Sequence, residues 1–295
     1  MIIHAPAKVN LFLELHGRRT TGFHDLETIM APVSWYDTLR FSPSEGEAIK
    51  LRVHQPIAKL RHEVIPTDGS NLVVKAVEAL RLHLGVEHGL SIDLVKRIPS
   101  QAGLGGGSSD AAAALLGAAR CWGVEVSQAA LMEIAGELGS DIPFFLGDGW
   151  SRCVGRGERI EALGIKQCLW VVIAKPPVGL ATGQVFAGAE IPAEPASSAQ
   201  LVRAAQRMDL ETLGTAMLNR LSEPARRLTD WIDRLKLAFE CTGSCGAMLS
   251  GSGSACFGIY PSRIMAMRAA RQIRCEQQLV VGVARTLASR IRWGP

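Results

Sequence analysis

The segment from Pro99 to Leu116, PSQAGLGGGSSDAAAALL, decides the fold of this chain. Four glycines and two serines lead directly into a run of alanines. Glycine lets a loop adopt positive φ and lets a ligand approach the backbone, and alanine has the highest intrinsic helix propensity. We therefore expect a helix that begins at the serines, with its unpaired N–H groups facing the loop. Such a helix end favours a phosphate, with a dipole contribution of about 0.3–1 kcal/mol at an exposed site.

Two familiar phosphate-binding loops do not fit this segment. A Walker A loop ends in Gly-Lys-Ser/Thr, whereas Gly107 is followed directly by Ser108 and Ser109. In the dinucleotide fingerprint G-x-G-x-x-G, counted from Gly103, Ser108 stands where the last glycine belongs. A flexible linker is the remaining alternative, but linkers rarely separate a strand-like alternation, here residues 90–98, from a strong helix. The segment predicts an anion site of another kind.

Length and composition predict a two-domain globular protein. The chain has 295 residues, of which 47% are hydrophobic and 20% charged, and a net charge of +4. This mild basic surplus suits a polyanionic small molecule, but it lacks the clustered lysines and arginines of a nucleic-acid-binding protein. We therefore expect a small-molecule substrate, no nucleic-acid partner, and a monomer or weak homodimer.

The cysteines and the N-terminal segment predict a cytoplasmic protein with no membrane partner. The seven cysteines are an odd number scattered through the chain, which favours a reducing compartment over a disulfide framework. No stretch reaches the roughly 18 apolar residues of a transmembrane helix. The segment MIIHAPAKVNLFLEL contains Pro6, Lys8 and Asn10, which is unlike a signal peptide.

Hydrophobic periodicity predicts strands and helices without regular βαβ alternation, which is typical of the α+β class. Strands are expected at residues 9–15, after the turn at 18–22 as far as residue 30, at 37–41 and at 49–53. The stretch between the last two is expected to be a hairpin end. Further strands are expected at residues 90–98, 168–174, 247–250 and 255–260. Helices are expected at residues 71–83, with Asn71 as N-cap, and at 108–121, 127–138, 199–208, 210–221, 224–239 and 263–275. The polar, glycine-rich stretch 155–164 predicts a boundary between domains 1–160 and 161–295.

Three further features of the sequence have both a functional and a structural interpretation: an aspartate, a lysine and a second glycine–serine cluster. Asp141 precedes an apolar run and is either a reactive carboxylate or the N-cap of a short helix beginning near Pro143. Lys8 lies within an apolar strand, where a lysine needs an anionic partner unless it reaches solvent from an edge. Sequence spacing does not pair these two residues. The cluster Ser250 to Ser254 is either a β-turn or a second anion-binding nest.

These segments together resemble the GHMP family of small-molecule kinases over nearly the whole chain. The matching motifs are Ala5-Pro6-Ala7-Lys8-Val9-Asn10-Leu11, Pro99 to Ala112 and Met248 to Ala255. The resemblance implies a ribosomal-protein-S5-like N-terminal domain with a left-handed βαβ crossover, joined to a ferredoxin-like C-terminal domain. It also implies ATP-dependent phosphorylation of an alcohol, with Asp141 as the catalytic aspartate and Lys8 as the lysine that keeps it ionised.

The resemblance further implies where ATP and Mg²⁺ bind. ATP phosphates would meet the backbone N–H groups of Gly103 to Ser109, and Lys96 and Asn71 would lie near the adenosine. The implied metal ligands stay unassigned, since either Ser108 or Ser109 could reach the ion or phosphates and water could hold it. The implied ATP-binding loop consists of Pro99, Ser100, Gln101, Ala102, Gly103, Leu104, Gly105, Gly106, Gly107, Ser108 and Ser109.

The tract from Gly17 to His24, GRRTTGFH, separates this chain from mevalonate, homoserine and galactose kinases within the family. It implies CDP-methylerythritol as the substrate, phosphorylated on its 2-hydroxyl, with Asn10 and Asp141 near the methylerythritol. Phe23 stands where the family usually has a tyrosine, and it would stack cytosine against Phe186 while His24 recognises the base. Stacking survives this replacement, whereas any contact through the tyrosine hydroxyl is lost.

Each peripheral assignment has a structural alternative: a core Phe23, a solvated Lys96 and a purely N-capping Asn71. At the level of function, the alternatives are another GHMP kinase acting on a mevalonate-type, homoserine or sugar alcohol, and a nucleotide-binding regulator without catalysis.

Overall fold

The computed structural model describes residues 1–20, 22–276, 278–288 and 292–293, the last pair for its backbone alone. Its strands form one eight-stranded and one four-stranded sheet, and helices pack against both. This arrangement confirms the α+β class that the sequence predicts. Thr21, within the tract that suggested the substrate, lies outside the described residues.

The strands are β1 (Ile2–Arg18), β2 (His24–Ser44), β3 (Ile49–His54), β4 (Gly89–Val95), β5 (Ser151–Gly155), β6 (Arg159–Ala162), β7 (Trp170–Lys175), β8 (Leu218–Asn219), β9 (Gly246–Leu249), β10 (Cys256–Tyr260), β11 (Val280–Arg285) and β12 (Arg292–Trp293). The helices are α1 (Leu72–Leu84), α2 (Gly106–Cys121), α3 (Gln128–Leu138), α4 (Ile142–Leu146), α5 (Thr182–Ala187), α6 (Ala199–Arg207), α7 (Leu210–Ala216), α8 (Ser222–Leu228), α9 (Trp231–Cys241) and α10 (Arg263–Ile273).

The long antiparallel pair β1 and β2 forms the centre of the larger sheet, whose order is β12-β1-β2-β4-β3. Strand β5 pairs with β2, β6 pairs with β5, and β8 runs parallel to β1. The hairpin predicted between residues 37–41 and 49–53 is wrong, because β4 lies between β2 and β3. Strand β4 buries Leu90, Ile92 and Leu94, and an apolar strand of this kind is most stable with a neighbour on each side.

Helix α2 is buried along most of its length against the larger sheet and α1. Its residues Ala111 to Ala114 have no exposed surface, because small side chains let the helix approach its neighbours closely. The predicted N-cap of α1 is confirmed, because the Asn71 side chain accepts a hydrogen bond from Val73 N at 2.9 Å. Ser127 caps α3 in the same way, with its Oγ accepting a hydrogen bond from Ala130 N at 3.2 Å. A rigid α2 fixes the glycine loop that precedes it.

In the second half of the chain, two predicted helices are shorter than expected. The helix expected over residues 210–221 ends at Ala216, because Leu218 and Asn219 pair with β1 instead. The helix expected over residues 224–239 is divided into α8 and α9, and Thr229 Oγ1 between them accepts a hydrogen bond from Trp231 N at 3.3 Å. Side chains that bond the local backbone in this way compete with a continuous helix.

The four-stranded antiparallel sheet has the order β11-β7-β10-β9 and lies wholly in the second half of the chain. Because β8 and β12 from that half join the larger sheet, the division at residues 160 and 161 stays a prediction. All seven cysteines carry free thiols. Within the described ranges, no helix combines the length and the apolar character that a membrane crossing requires.

Candidate active site

A cavity of about 910 Å³ opens between the glycine loop, the β1–β2 pair and helix α5. Its volume suits a drug-sized or nucleotide-sized ligand. It brings together all but one of the predicted site residues, and that exception is Ser109. The predicted residues that line it are Lys8, Asn10, Phe23, His24, Asn71, Lys96, Pro99, Ser100, Gln101, Ala102, Gly103, Leu104, Gly105, Gly106, Gly107, Ser108, Asp141 and Phe186.

Helix α2 begins at Gly106, two residues before the predicted start at the serines. Its N-cap is Gly105, which adopts the left-handed conformation at φ 68° and offers no side-chain cap. A Cβ at this position would lie 2.9 Å from the Phe145 ring and 3.0 Å from Lys8 Cγ, so only glycine fits. The prediction was wrong because steric fit, rather than hydroxyl capping, sets the start of this helix.

The first turn of α2 provides the donors for an anion. The N–H groups of Gly106, Gly107 and Ser108 have no acceptor within the helix, as in any first turn. The N–H of Ser109 donates to Gly105 O at 2.9 Å, and its hydroxyl is buried without a partner. Three backbone donors of this turn therefore remain for a phosphate.

Five consecutive carbonyl groups of the glycine loop, from residues 101 to 105, accept hydrogen bonds from the protein. The donors are Ser254 N, Ala255 N, Ser250 Oγ, Lys8 N and Ser109 N, at 2.9–3.2 Å. Carbonyl oxygens repel phosphate, so their engagement leaves the loop richer in donors than in acceptors. Three of the five donors come from the third glycine motif. That motif contains the predicted turn, with Gly253 N donating to Ser250 O at 2.9 Å, while a second anion nest there stays a prediction.

Lys8 and Asp141 meet on the wall of this cavity. Lys8 is only 3% exposed, and its Nζ lies 3.8 Å from Asp141 Oδ2. Burial lowers the pKa of Lys8, and the Asp141 carboxylate offsets part of that effect. Asp141 precedes α4 but its side chain makes no capping hydrogen bond, and 42% of that side chain is exposed. The carboxylate is thus paired with a lysine and open to a ligand.

Asn10 holds Lys8 in place. Lys8 Nζ donates to Asn10 Oδ1 at 2.5 Å, and Asn10 Nδ2 donates to Thr28 Oγ1 at 2.8 Å. The Thr28 hydroxyl in turn donates to Phe12 O at 2.6 Å. Both ends of the Asn10 amide are therefore engaged within the protein. Sequence reasoning missed Thr28, although the pairing of β1 with β2 brings it beside Asn10.

Lys96 lies beneath the start of α2 and is paired with two buried carboxylates. Its Nζ contacts Asp37 Oδ2 and lies 2.7 Å from Asp110 Oδ2. Burial alone would lower the pKa of Lys96, but Asp110 and Asp37 outweigh it and raise this pKa. The alternative of a solvated Lys96 is wrong, since the residue is 6% exposed. The same argument that predicted a partner for Lys8 applies to Lys96 and would have predicted its carboxylates.

Phe23, His24 and Phe186 line the opposite part of the cavity. Phe23 is 53% exposed, so a core role is wrong, and the Arg156 guanidinium lies 5.3 Å from its ring centroid. The rings of His24 and Phe186 are 5.4 Å apart and tilted by 36°. Burial and the positive charge of Arg18 lower the pKa of His24. A neutral imidazole offers one donor and one acceptor, which suits a nucleobase edge.

Side-chain oxygens near the loop are the candidate contacts for a metal ion. No group of three or more His, Cys, Asp or Glu side chains placed to hold a metal occurs in the part of the chain that the structure describes. Ser108 lines the cavity, and Asp110 Oδ1 is a buried oxygen without a hydrogen-bond partner. Mg²⁺ prefers few protein ligands together with phosphate and water oxygens.

A glycine loop at a helix start and a lysine–aspartate pair border one cavity, an arrangement that suits a kinase that phosphorylates a small molecule. The model of the GHMP kinase N-terminal domain matches residues 71–149, and that of the GHMP kinase C-terminal domain matches residues 201–277. The chain belongs to the GHMP kinase family. It is therefore an enzyme that transfers phosphate from ATP to an alcohol.

Two relatives that match most of the chain bear the same name. A protein of Rhodopirellula baltica, 37% identical over 91% of this chain and 89% of its own length, is named 4-diphosphocytidyl-2-C-methyl-D-erythritol kinase. A protein of Paramagnetospirillum magneticum with the same name is 38% identical over 92% of this chain and 93% of its own.

Solved structures agree with this family assignment. A crystal structure of 4-(cytidine 5'-diphospho)-2C-methyl-D-erythritol kinase matches with a TM-score of 0.79 and 32% identity, over 96% of this chain and 99% of that one. A homoserine kinase from Cytophaga hutchinsonii matches with a TM-score of 0.76 at 19% identity, over 98% of this chain and 95% of that one. The second likeness shows the shared fold alone.

Proposed function

We propose that this chain catalyses the ATP-dependent phosphorylation of the 2-hydroxyl of 4-diphosphocytidyl-2-C-methyl-D-erythritol, a step of the non-mevalonate isoprenoid pathway. One observation carries the proposal: a single cavity joins the glycine loop, the Lys8–Asp141 pair and the aromatic group of Phe23, His24 and Phe186. The relatives at 36–38% identity that bear this enzyme's name support the same substrate.

The chemical step assigns different roles to the paired residues. Asp141 accepts the proton of the 2-hydroxyl as that oxygen attacks the γ-phosphorus, and the bond to the β,γ-bridging oxygen breaks to release ADP. General-base catalysis of this kind contributes about 10²–10⁴-fold. Lys8 balances the negative charge of the Asp141 carboxylate, 3.8 Å away, and orients the hydroxyl. Asn10 fixes the Lys8 ammonium through the 2.5 Å hydrogen bond, and therefore acts as a positioning residue.

ATP phosphates occupy the first turn of α2 in this proposal. The N–H groups of Gly106, Gly107 and Ser108 would hold them, because phosphoryl transfer depends mainly on positioning and on neutralising charge. Mg²⁺, when bound with ATP, supplies further charge neutralisation, and the Ser108 hydroxyl is the protein oxygen best placed to hold it. Asn71 and Lys96 line the cavity, and in this proposal they lie near the adenosine, while Asn71 is at the same time the N-cap of α1.

The cytidine end of the substrate gives the reaction its specificity. Cytosine would stack between Phe23 and Phe186, and His24 would recognise its edge as a neutral imidazole. The rings of Phe23 and Phe186 both border the cavity, and the exposed face of Phe23 is accessible to a base. We also propose that the enzyme is cytoplasmic and that it acts as a monomer or weak homodimer. Its proposed domains are residues 1–160 and 161–295.

A substrate panel tests the proposal. Purified protein with ATP and Mg²⁺ is assayed for ADP release with 4-diphosphocytidyl-2-C-methyl-D-erythritol, mevalonate, homoserine and galactose. We expect turnover of the cytidylyl substrate only, with the new phosphate monoester on the 2-oxygen by ³¹P and ¹³C NMR. ADP release at background level with that substrate would sink the proposal, and faster turnover of a cytidine-free alcohol would favour another GHMP kinase.

A further inference from the structure

The cavity contains four lysine or arginine side chains, and they differ in whether a carboxylate balances them. They are Lys8, Arg18, Lys96 and Arg156. Lys8 is paired with Asp141, and Lys96 with Asp37 and Asp110. Among the described residues, the guanidinium groups of Arg18 and Arg156 form no ion pair with a carboxylate. Their positive charges are therefore available to a ligand.

Arg156 lies between the two ends of the proposed substrate. It occupies the tight turn that joins β5 to β6, and the register pairs Gly155 with Leu26 of β2. This pairing brings Arg156 beside the start of β2, where its guanidinium lies over the Phe23 ring at 5.3 Å. On the other side, a Cβ built on Gly157 would lie 4.0 Å from Ser140, the neighbour of Asp141. The turn thus spans from the cytosine side of the cavity to the reacting carboxylate.

Two hydrogen bonds hold the backbone of the turn in this position. The Glu158 carboxylate accepts a hydrogen bond from Arg156 N at 2.6 Å, and Gly157 N donates to Val154 O at 3.3 Å. Arg156 is half-buried, whereas Arg18 at the end of β1 is exposed. A partly desolvated guanidinium binds an anion more strongly than a freely solvated one.

The substrate named in the proposed function carries a diphosphate between its cytidine and its alcohol. This diester has two negative charges, which the paired lysines cannot neutralise without giving up their own carboxylates. We propose that Arg156, assisted by Arg18, binds the diphosphate and thereby selects nucleoside-diphosphate alcohols over neutral ones. The inference rests on the proposed function, and neither residue belongs to the motifs that suggested the kinase reaction at Lys8 and Asp141.

Ligand binding measured by calorimetry tests this inference without any turnover. A non-hydrolysable ATP analogue first saturates the ATP site, and CDP and cytidine are then titrated into wild-type protein and Arg156→Gln. We expect wild type to bind CDP at least about 10-fold more tightly than cytidine, since charge-assisted hydrogen bonds to phosphate are the strong ones. Arg156→Gln should raise the dissociation constant of CDP by about 10- to 100-fold and leave that of cytidine within about 3-fold of the wild-type value.

Matched variants separate charge at this position from charge in general. Arg156→Lys should recover part of the lost CDP affinity, because it keeps the charge but not the planar fork. Arg159→Gln is the control, since Arg159 lies on the same hairpin, is exposed and does not line the cavity. In turnover, Arg156→Gln should raise KM for the cytidylyl substrate by a similar factor while kcat and KM for ATP stay within about 3-fold.

Three results would overturn the inference. They are an equal affinity of the wild type for CDP and cytidine, an equal loss of affinity for both ligands in Arg156→Gln, and no loss of affinity for either ligand in that variant. An equal loss would show that Arg156 only supports the Phe23 ring. The proposed function would fail separately, if the wild-type protein did not phosphorylate the cytidylyl substrate. The binding comparison of CDP with cytidine would still be valid in that case.

Discussion

The ammonium of Lys8 lies 3.8 Å from the carboxylate of Asp141, with the lysine buried and the aspartate half-exposed. Lys8 comes from β1, and Asp141 from the turn before α4, whose five residues are all buried. This asymmetry suits the proposed roles of the pair, because the buried lysine is held by Asn10 while the open carboxylate is accessible to a ligand. A second buried lysine, Lys96, has two carboxylate partners and a pKa shifted in the opposite direction.

Lys8→Met should abolish kinase activity with little loss of stability. Burial lowers the pKa of Lys8, so its charged form is disfavoured in the folded state, and this cost applies in full at pH values below the folded pKa. The loss of its hydrogen bond to Asn10 opposes the gain from removing a buried charge. We expect a free energy of unfolding within about 1 kcal/mol of wild type at neutral pH, measured by urea denaturation.

Lys96→Met should destabilise the protein strongly. It leaves Asp37 and Asp110 buried without their cation, at a cost of about 3–5 kcal/mol. Burial alone would lower the pKa of Lys96, but the two carboxylates outweigh it and raise this pKa in the folded state. Its contribution to the free energy of unfolding is therefore complete at pH values below the ordinary lysine pKa of about 10.4, and it is lost only as the pH rises through the higher folded pKa. The control is Lys75→Met, on the exposed side of α1. Equal urea midpoints for Lys8→Met and Lys96→Met would contradict the assignment of the two lysines.

Gly105→Ala should disrupt the ATP end of the site. The substitution places a side chain at φ 68°, where its Cβ would clash with the Phe145 ring and the Lys8 side chain. We expect a loss of about 1–2 kcal/mol from the backbone conformation alone, and a higher KM for ATP. Gly107→Ala serves as the stability control, since its nearest neighbour, Leu72 Cδ1, would be 3.8 Å from the new Cβ. A Gly105→Ala protein with wild-type stability and KM would argue against this loop geometry.

Binding of the cytidylyl substrate should weaken in acid through His24. Burial and Arg18 lower the pKa of His24, so the imidazole is neutral at pH 7 and gains a proton only as the pH falls below its ordinary value of about 6.5. Protonation removes the acceptor nitrogen and adds a charge beside Arg18. The dissociation constant, measured without ATP between pH 5.5 and 8, should rise at the acid end in wild type and stay flat in His24→Gln. A flat wild-type profile would remove His24 from base recognition.

Local sequence signals predicted the parts of this fold that short-range physics determines. The N-cap Asn71 was predictable because a single side chain bonds the backbone two residues away. The composition of the glycine loop predicts an anion site from local sequence alone, and that site stays a prediction. The start of the helix after the loop was not predictable, because the choice of Gly105 over the serines depends on Phe145 and Lys8, which are distant in sequence.

Long-range pairing accounts for the remaining differences. Strand β4 inserts between β2 and β3, although the sequence suggests a hairpin there. The Lys8–Asp141 pair follows from the family resemblance and not from spacing. Arg156 carries no local signal, because its place beside Phe23 depends on the pairing of β5 with β2. A rule that each buried lysine needs a carboxylate would have predicted an acidic partner for Lys96. It would not have shown which aspartates supply it.

The most direct test of the central claim is the turnover of Asp141→Asn beside wild type, with ATP, Mg²⁺ and 4-diphosphocytidyl-2-C-methyl-D-erythritol. The variant keeps the size of the side chain but removes its negative charge, and with it the ion pair to Lys8 and the capacity to accept the proton. We predict that kcat falls by about 10²–10⁴-fold while the dissociation constant of ATP stays within about 3-fold of wild type. A variant that retains more than about a tenth of wild-type kcat would contradict the assignment of Asp141 as the base.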